Sequence, residues 1–213
     1  MKLFYTPLAC SMATRIVLEE LGRPAEYIPV DHKTRLTADG RKVHPLGLVP
    51  VLHTDDGRVL TENAAILQYI AADTELVPSD PWDKTQLQQW LSFIATELHK
   101  AVFIALLDKT APEGAKAYAL GNAAPRLGLL EQHLANRDYL LDHYSVADIY
   151  LVTVLNWCQA TPVRLDGYPA IQRYIKALRT RPAVAENLMR DTQQYLQELA
   201  AAAAPIAAAS PAS

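Results

Sequence analysis

The hydrophobic positions of the first eighty residues change spacing several times along the chain. Residues 2–5 form a short apolar run that predicts a buried strand, and residues 12–21 repeat apolar side chains at helical spacing before Gly22. Residues 25–30 alternate and predict a second strand, whose Pro29 favours a position at the sheet edge. A strand, a helix and a strand within about thirty residues predict a parallel βαβ unit.

The following stretch predicts a hairpin and then a helix. Residues 51–53 (Val-Leu-His) and 59–60 (Val-Leu) predict two strands, and they flank an Asp-Asp-Gly-Arg sequence at 55–58 that is typical of a hairpin turn. Apolar positions then return at helical spacing over residues 64–70. We therefore expect residues 1–76 to form one α/β domain, in which βαβ is followed by ββα.

The rest of the chain has only the helical pattern. It begins after a proline-containing break at residues 77–81, which we interpret as the domain linker. Residues 82–199 predict an all-helical bundle, in which Pro125 should bend or split one long helix. The helix that follows the cap at residues 145–148 is apolar on nearly every side, so it should lie at the centre of this domain. Residues 200–213 are alanine-rich and uncharged, and we expect a disordered tail there.

The composition narrows the class of protein. The 213 residues are 50% hydrophobic and 20% charged, with a net charge of -3, which is an ordinary balance for a soluble globular protein. No basic arm is present, and this argues against nucleic acid or an anionic membrane as a partner. Without a signal peptide or an uninterrupted apolar run long enough to span a bilayer, we expect a cytoplasmic protein. The six histidines lack paired ligand spacing, so we expect no metal site.

Cys10 lies where the first predicted strand ends and the first predicted helix begins, and we expect Ser11 to cap that helix. A thiol at a helix N-terminus experiences the positive end of the helix dipole, which favours the thiolate and lowers the thiol pKa. The second cysteine, Cys158, is far away in sequence, and this favours a reactive thiol over a structural disulfide in a cytosolic chain. The alternative is a buried cysteine that behaves as a small hydrophobic side chain.

Two further segments favour binding of a peptide-like ligand. Pro50 precedes a β-branched strand, and a cis Val49–Pro50 bond would turn the backbone N–H and C=O of Val49 outward to pair with an extended peptide. The alternative is a trans proline at the start of the strand. Glu62 and Asn63 open the next helix, where free N–H groups and a carboxylate together could hold the charged head group of an amino acid. Simple capping of a surface helix is the alternative there.

In this order along the chain, the motifs resemble those of a known family. A thioredoxin-like domain followed by a longer helical domain resembles the cytosolic glutathione transferases, and most closely their bacterial beta class. The resemblance runs from Met1 to about Leu188 and leaves out only the tail. The residues that carry it are found at 1–5 with 9–11, 48–52, 60–69, 89–100 and 145–151.

The resemblance implies that glutathione is the co-substrate and assigns a sulfur site. Cys10 is similar to the beta-class cysteine that meets the glutathione sulfur, where other classes use tyrosine or serine. His99 and Lys100 match a pair in the helical domain that flanks this sulfur. The electrophile would bind in an apolar pocket between the domains. Its expected lining residues are Leu8, Met12, Ile104, Leu107 and Trp157.

The same resemblance implies how the rest of glutathione is held. Val49, next to Pro50, is similar to the residue whose backbone pairs with the cysteinyl part of the tripeptide. Glu62 and Asn63 match the positions that hold the γ-glutamyl head group, although Asn63 replaces the small serine or glycine usual in the family. The glycyl carboxylate would be reached by one of two basic residues in the loop before Pro45, Lys33 and Arg35.

These roles predict a transferase for detoxification, which promotes attack of the glutathione thiolate on small apolar electrophiles. The helix N-terminus and His99 would stabilise the thiolate. Ala13 occupies the position of a resolving cysteine, so a disulfide within the motif is impossible. A second hypothesis is therefore reduction of disulfides or peroxides through a mixed disulfide on Cys10. A third is a non-catalytic interaction protein on the same fold. The resemblance also implies a homodimer. The sequence does not identify the electrophile.

Overall fold

The computed structural model describes residues 1–203, and its first part is a four-stranded mixed sheet with helices packed against it. The strand order is β2-β1-β3-β4, with β1 and β2 parallel and the other two pairs antiparallel. The strand that contains Pro29 therefore lies at an edge, as predicted, because proline has no N–H to donate to a second neighbour. The strands are β1 (Lys2–Tyr5), β2 (Glu26–Pro29), β3 (Val51–His53) and β4 (Val59–Thr61).

Two helices belong to this first part, and the remaining helices form the second. The fold is thus a thioredoxin-like α/β unit followed by a helical bundle, as the sequence predicted. A π-helical segment over Ile94–Phe103 continues α3 into α4, and a short 3-10 helix over Asn156–Ala160 follows α7. The α-helices are α1 (Ser11–Glu20), α2 (Asn63–Ile70), α3 (Pro81–Phe93), α4 (Ile104–Leu107), α5 (Glu113–Gly121), α6 (Ala123–Leu134), α7 (Val146–Leu155), α8 (Pro169–Leu178) and α9 (Pro182–Ala203).

The predicted effect of Pro125 is confirmed, since the helix is split at Asn122, between α5 and α6. Proline lacks an N–H, and its ring crowds the carbonyl four residues earlier, which here belongs to Gly121, the last residue of α5. The Asn122 side chain donates a hydrogen bond of 3.2 Å to the carbonyl of Ala101. The break in one helix is thereby fixed against the π-helical segment.

Helix α7 is the buried centre of the helical part, as its pattern predicted. All ten of its residues are buried. The predicted reciprocal cap is present, with the Ser145 N–H donating to Asp148 Oδ2 at 2.9 Å. A helix apolar on every side can be tolerated only where other helices cover it, and α1, α3, α8 and the π-helical segment pack around α7.

One continuous helical stretch, Pro81–Leu107, is 27 residues long and contains an 18-residue window with a mean hydropathy of 1.5, so by length and composition alone it could cross a membrane. Charged residues, among them Glu97 and Lys100, interrupt the stretch, so it does not contradict the expectation of no uninterrupted apolar run. The stretch packs against α6 and α7 within the bundle, as a core helix of a globular protein does. Its length and composition are therefore weak evidence for a membrane span.

Helix α9 extends to Ala203, so residues 200–203, the first part of the predicted tail, are helical. The rest of that predicted tail, residues 204–213, lies outside the described residues. The domain limits proposed from sequence remain predictions.

Candidate functional site

Cys10 occupies the N-cap position of α1, directly after the turn that leaves β1. Its side chain is 7% exposed, and Sγ donates to the carbonyl oxygen of Val49 at 3.4 Å. Ser11, which we expected to cap the helix, is instead its first residue and exchanges hydrogen bonds of 3.2 Å with the backbone of Thr6. The predicted cap was wrong because the Ser11 hydroxyl closes the turn between β1 and α1.

Burial reverses the ionisation expected for Cys10. Loss of water raises the pKa of the thiol to about 12, although the charge of Lys100 and the backbone N–H groups at the start of α1 act to lower it. The S–H hydrogen bond to Val49 also requires the proton. In the free protein Cys10 is therefore a thiol at neutral pH, and the expectation of an acidified thiolate was wrong.

The segment that faces Cys10 contains the cis peptide bond. The Val49–Pro50 bond is cis, which was one of the two alternatives for this proline. Pro50 is buried, whereas Val49 is half-buried with its carbonyl turned toward the thiol. A backbone carbonyl and a thiol therefore meet beside the start of β3, at a strand end where an extended peptide could pair.

Leu8 and Glu62 are two of the non-glycine residues with left-handed backbone, with φ values of 59° and 66°. Such conformations are unfavourable for residues with a Cβ atom and cluster at functional sites. The Leu8 N–H donates to Asp191 Oδ2 at 2.9 Å, and the Leu8 carbonyl accepts from Trp157 Nε1 at 2.7 Å. Two side chains of the helical domain thus hold the loop that leads to Cys10.

Glu62 and Asn63 differ in accessibility although they are adjacent. Glu62 is exposed at the N-cap of α2, and its carbonyl accepts from the N–H groups of Ala65 and Ile66 at 3.0 Å. Asn63 is only 5% exposed, and its Oδ1 accepts from Thr14 Oγ1 at 2.7 Å. The Glu62 carboxylate can therefore be reached by a ligand, whereas the Asn63 side chain points into the protein.

His99 lies in the π-helical segment, a type of helix that is frequent at functional sites. Its Nδ1 is 3.0 Å from the hydroxyl of Tyr150, and its ring meets that of Trp157 edge to face, with centroids 4.8 Å apart. Burial, with a smaller effect of Lys100, lowers the pKa of His99 to about 4. His99 is thus neutral at pH 7, and it can act as a hydrogen-bond donor or acceptor rather than as a cation.

The comparisons with known proteins show to which family the chain belongs. Residues 9–73 match the family model described as glutathione S-transferase, N-terminal domain, and residues 93–182 match the corresponding C-terminal domain. Glutathione S-transferase GstA of Escherichia coli O157:H7 is 35% identical over 196 residues, which cover 88% of this chain and 97% of GstA. The chain belongs to the glutathione S-transferase family.

Solved structures of bacterial glutathione S-transferases are similar over most of this transferase. A sphingomonad glutathione S-transferase complexed with glutathione is 40% identical with a TM-score of 0.84, covering 90% of this chain and 99% of the other. The beta-class enzyme of Sphingomonas chungbukensis is 37% identical with a TM-score of 0.84, covering 90% and 98%.

The basic residues expected to bind this transferase's ligand are all exposed. Lys33 and Arg35 lie in the loop after β2, and Lys100 lies in the π-helical segment. Arg35 packs against Gly47, where an added Cβ would come within 2.8 Å of the Arg35 Cβ, so the loop requires glycine at that position. The charge of Lys100 acts on the Cys10 thiol, and that interaction links Lys100 to the sulfur site.

The residues expected to line the electrophile pocket fall into two groups. Ile104 is 43% exposed, Leu107 is 37% exposed and Leu8 is half-buried. Met12 is only 2% exposed and belongs to the core, so it offers almost no surface to a ligand. Trp157 is 7% exposed and is held by its hydrogen bond to Leu8. Within residues 1–203, no cluster of three or more His, Cys, Asp or Glu side chains is placed to hold a metal ion.

Sequence reasoning did not identify Tyr150 and Asp191 as residues that hold the site of this transferase in place. The sequence held one signal for Tyr150, because a tyrosine in a helix that is otherwise apolar on every side must find a buried partner for its hydroxyl. Asp191 gave no such signal, since it lies on an amphipathic helix where a carboxylate is ordinarily solvated.

The buried thiol leads to a testable expectation for alkylation. In a Cys158→Ser background, we expect iodoacetamide at pH 7.5 to modify Cys10 at least ~100-fold more slowly than free glutathione, because the thiolate fraction falls about tenfold per unit of pKa. Mass spectrometry of the modified protein gives the rate, and the same chain unfolded in urea is the control. A native rate close to that of glutathione would show that Cys10 is ionised after all.

Proposed function

We propose that this protein is a beta-class-like transferase that joins the glutathione thiolate to small apolar electrophiles in the cytoplasm. The observation that carries the proposal is the meeting of Cys10 with the carbonyl of Val49 at 3.4 Å, in reach of the charges of Lys100 and Glu62. A sulfur site, a backbone edge and charged groups of both signs are thereby brought together in one place. A tripeptide with a thiol, an ammonium group and two carboxylates fits that combination.

Each part of glutathione has a matching group in the proposed complex. The backbone of Val49 pairs with the cysteinyl residue, and Pro50 holds that segment at the start of β3. The exposed Glu62 carboxylate takes the ammonium group, while the first N–H groups of α2 face the neighbouring carboxylate. Asn63 supports this helix start from within. The glycyl carboxylate is taken by one of the two exposed cations of the loop after β2, Lys33 and Arg35.

Activation of glutathione requires only a moderate stabilisation of its thiolate. Lowering a thiol pKa from about 8.5 by two units corresponds to about 2.7 kcal/mol, and one or two hydrogen bonds to a charged group supply about 1.5–3 kcal/mol each. The available donors are the protonated Cys10 thiol and the neutral ring of His99, with Lys100 adding positive charge. The site therefore acts through neutral donors and one cation, rather than through a cysteine thiolate and an imidazolium.

The reaction step itself uses the sulfur of glutathione. Its thiol proton passes to solvent, and the thiolate attacks the electrophilic carbon, so that a C–S bond forms and the leaving group departs with its electron pair. Exposed apolar side chains beside the site, Leu8, Ile104 and Leu107, bind the electrophile and orient it toward the sulfur. No residue of the protein becomes covalently attached in this step.

Cys10 is less suited to the alternative, reduction of mixed disulfides. That chemistry begins with attack of the Cys10 thiolate on a disulfide, and the raised pKa of Cys10 leaves little thiolate at neutral pH. We therefore expect Cys10→Ala to retain conjugation of chlorodinitrobenzene within about tenfold, since Cys10 supplies one neutral hydrogen bond.

A glutathione-affinity column and two activity assays test the proposal. We expect the wild-type protein to be retained on the column and to conjugate chlorodinitrobenzene, with Lys100→Met lowering the rate more than Cys10→Ala does. Cys158→Ala serves as the matched cysteine control and should behave as the wild type, because Cys158 lies beyond α7 in the 3-10 helix. Loss of conjugation in Cys10→Ala together with efficient reduction of a glutathione mixed disulfide by the wild type would favour the reductase. Neither binding nor turnover would favour a non-catalytic protein.

We also propose that the transferase is a homodimer. Large apolar side chains remain exposed on both parts of the chain, including Leu46 at 75%, Val59 at 56% and Tyr118 at 75%. Association of one subunit's α/β domain with the other's helical domain would cover such residues. Sedimentation should give twice the 23.5 kDa of one chain, and a monomer at micromolar concentration would contradict this.

A further inference from the structure

Tyr150 is a buried tyrosine beside His99 that the proposed reaction has not yet used. Its side chain is 2% exposed within α7, where every residue is buried. A tyrosine hydroxyl in such surroundings needs a hydrogen-bond partner. One partner is Nδ1 of His99, at 3.0 Å. The hydroxyl therefore contacts the residue that we place next to the glutathione sulfur.

The direction of this hydrogen bond follows from the surroundings of the Tyr150 hydroxyl. Among the described residues, His99 Nδ1 is the one polar atom that forms a hydrogen bond with this oxygen. A buried O–H group left without an acceptor loses its hydration with nothing in return.

The Tyr150 hydroxyl must therefore donate its proton to His99 Nδ1. The nitrogen Nδ1 can accept only when it carries no proton, and in a neutral imidazole the proton is then on Nε2. The 3.0 Å contact thus selects the Nε2–H tautomer of His99.

We propose that Tyr150 is a positioning residue that holds His99 as the neutral Nε2–H tautomer, ready to donate a hydrogen bond to the sulfur of bound glutathione. The identity of this ligand rests on the proposed function, whereas the tautomer is a property of the free protein.

The tautomer can be read directly by NMR of the free protein. Long-range nitrogen–proton correlation spectra distinguish the two neutral tautomers of a histidine, and the His99 signals are assigned by their loss in His99→Gln. At pH 7 we expect the wild-type protein to show His99 protonated on Nε2. In Tyr150→Phe we expect a mixture of the two tautomers, with kcat for conjugation lowered about tenfold and KM for glutathione changed less than twofold.

Tyr174→Phe is the matched control. Tyr174 is equally buried at 2% exposure, and its hydroxyl donates to Asp148 at 2.8 Å, away from His99. This variant removes the same hydroxyl group from the same domain and should leave the His99 tautomer unchanged. A shift of the His99 signals in both variants would mean that general loosening of the helical domain, and not the Tyr150 hydroxyl, determines the tautomer.

Two results would overturn the inference. One is a wild-type His99 protonated on Nδ1, a measurement that needs no variant in the site. The other is a Tyr150→Phe protein with the wild-type tautomer; if this variant does not fold, the measurement on the wild-type protein alone decides. A wild-type protein that shows the Nε2–H tautomer but conjugates nothing would instead overturn the proposed function and leave the tautomer assignment standing.

Discussion

Asp191→Ala should lower the free energy of unfolding by about 3–5 kcal/mol, because it leaves the guanidinium of Arg15 buried without its counter-charge. Arg15 is 1% exposed and Asp191 is fully buried, and the two form an ion pair between α1 and α9. The guanidinium also lies over the ring of Tyr5, 4.7 Å from its centroid. A buried cation of this kind has no route to water once its carboxylate is removed.

The same substitution should affect the site. Asp191 Oδ2 accepts the N–H of Leu8, whose left-handed backbone directly precedes the turn to Cys10. Without that acceptor, the hydrogen bond from Trp157 is the one that still joins the Leu8 backbone to the helical domain within residues 1–203. We therefore expect the conjugation rate of Asp191→Ala to fall even at temperatures where the variant remains folded.

Urea denaturation of a double-mutant cycle measures the ion-pair contribution. We expect Arg15→Met combined with Asp191→Ala to cost about 2 kcal/mol less than the sum of the two single changes, since the double variant contains no unpaired buried charge. Arg190→Met is the matched control on the same helix, because the Arg190–Glu19 pair is partly exposed and should contribute about 1 kcal/mol or less. If the losses in the free energy of unfolding of the two single variants simply add up in the double variant, Arg15 and Asp191 are not energetically coupled.

The sequence predicted the fold well where local spacing determines structure. The apolar run at residues 2–5, the alternation over 25–30, the turn at 55–58 and the effect of Pro125 all depend on residues close together in the chain, and each is confirmed. The cap at Ser11 was mispredicted, because its hydroxyl could satisfy either a helix N-terminus or the preceding turn. Spacing alone does not decide between two such local partners.

The site was less predictable because its chemistry depends on burial. The position of Cys10 at the start of α1 was correct, but its ionisation was wrong, since a pKa is set by how much water the neighbouring elements exclude. The partners of the site are also far apart in sequence, as with Leu8 and Asp191 or His99 and Tyr150. No periodic pattern reports that two such residues meet.

Asp148→Ala should be the other strongly destabilising substitution, at about 3 kcal/mol or more, because it deprives several buried donors of their acceptor at once. Asp148 is fully buried, and its carboxylate accepts from the N–H and hydroxyl of Ser145, the N–H of Leu140 and the hydroxyl of Tyr174. An ordinary exposed cap contributes about 1 kcal/mol. We expect Asp148 to contribute more than an exposed cap, because its four donors are buried where no water can take the place of the carboxylate.

The comparison that tests this expectation uses a second aspartate from the same region. Asp142 has a side chain that is 95% exposed and pairs only with Arg137 on the surface, so Asp142→Ala should change stability by less than about 0.5 kcal/mol. Thermal and urea unfolding of the two variants should therefore differ clearly. Equal midpoints would mean that water reaches the freed donors, which would contradict the closed packing of α7. Because α7 carries Tyr150, a loosened α7 would also be expected to weaken the hold of Tyr150 on His99.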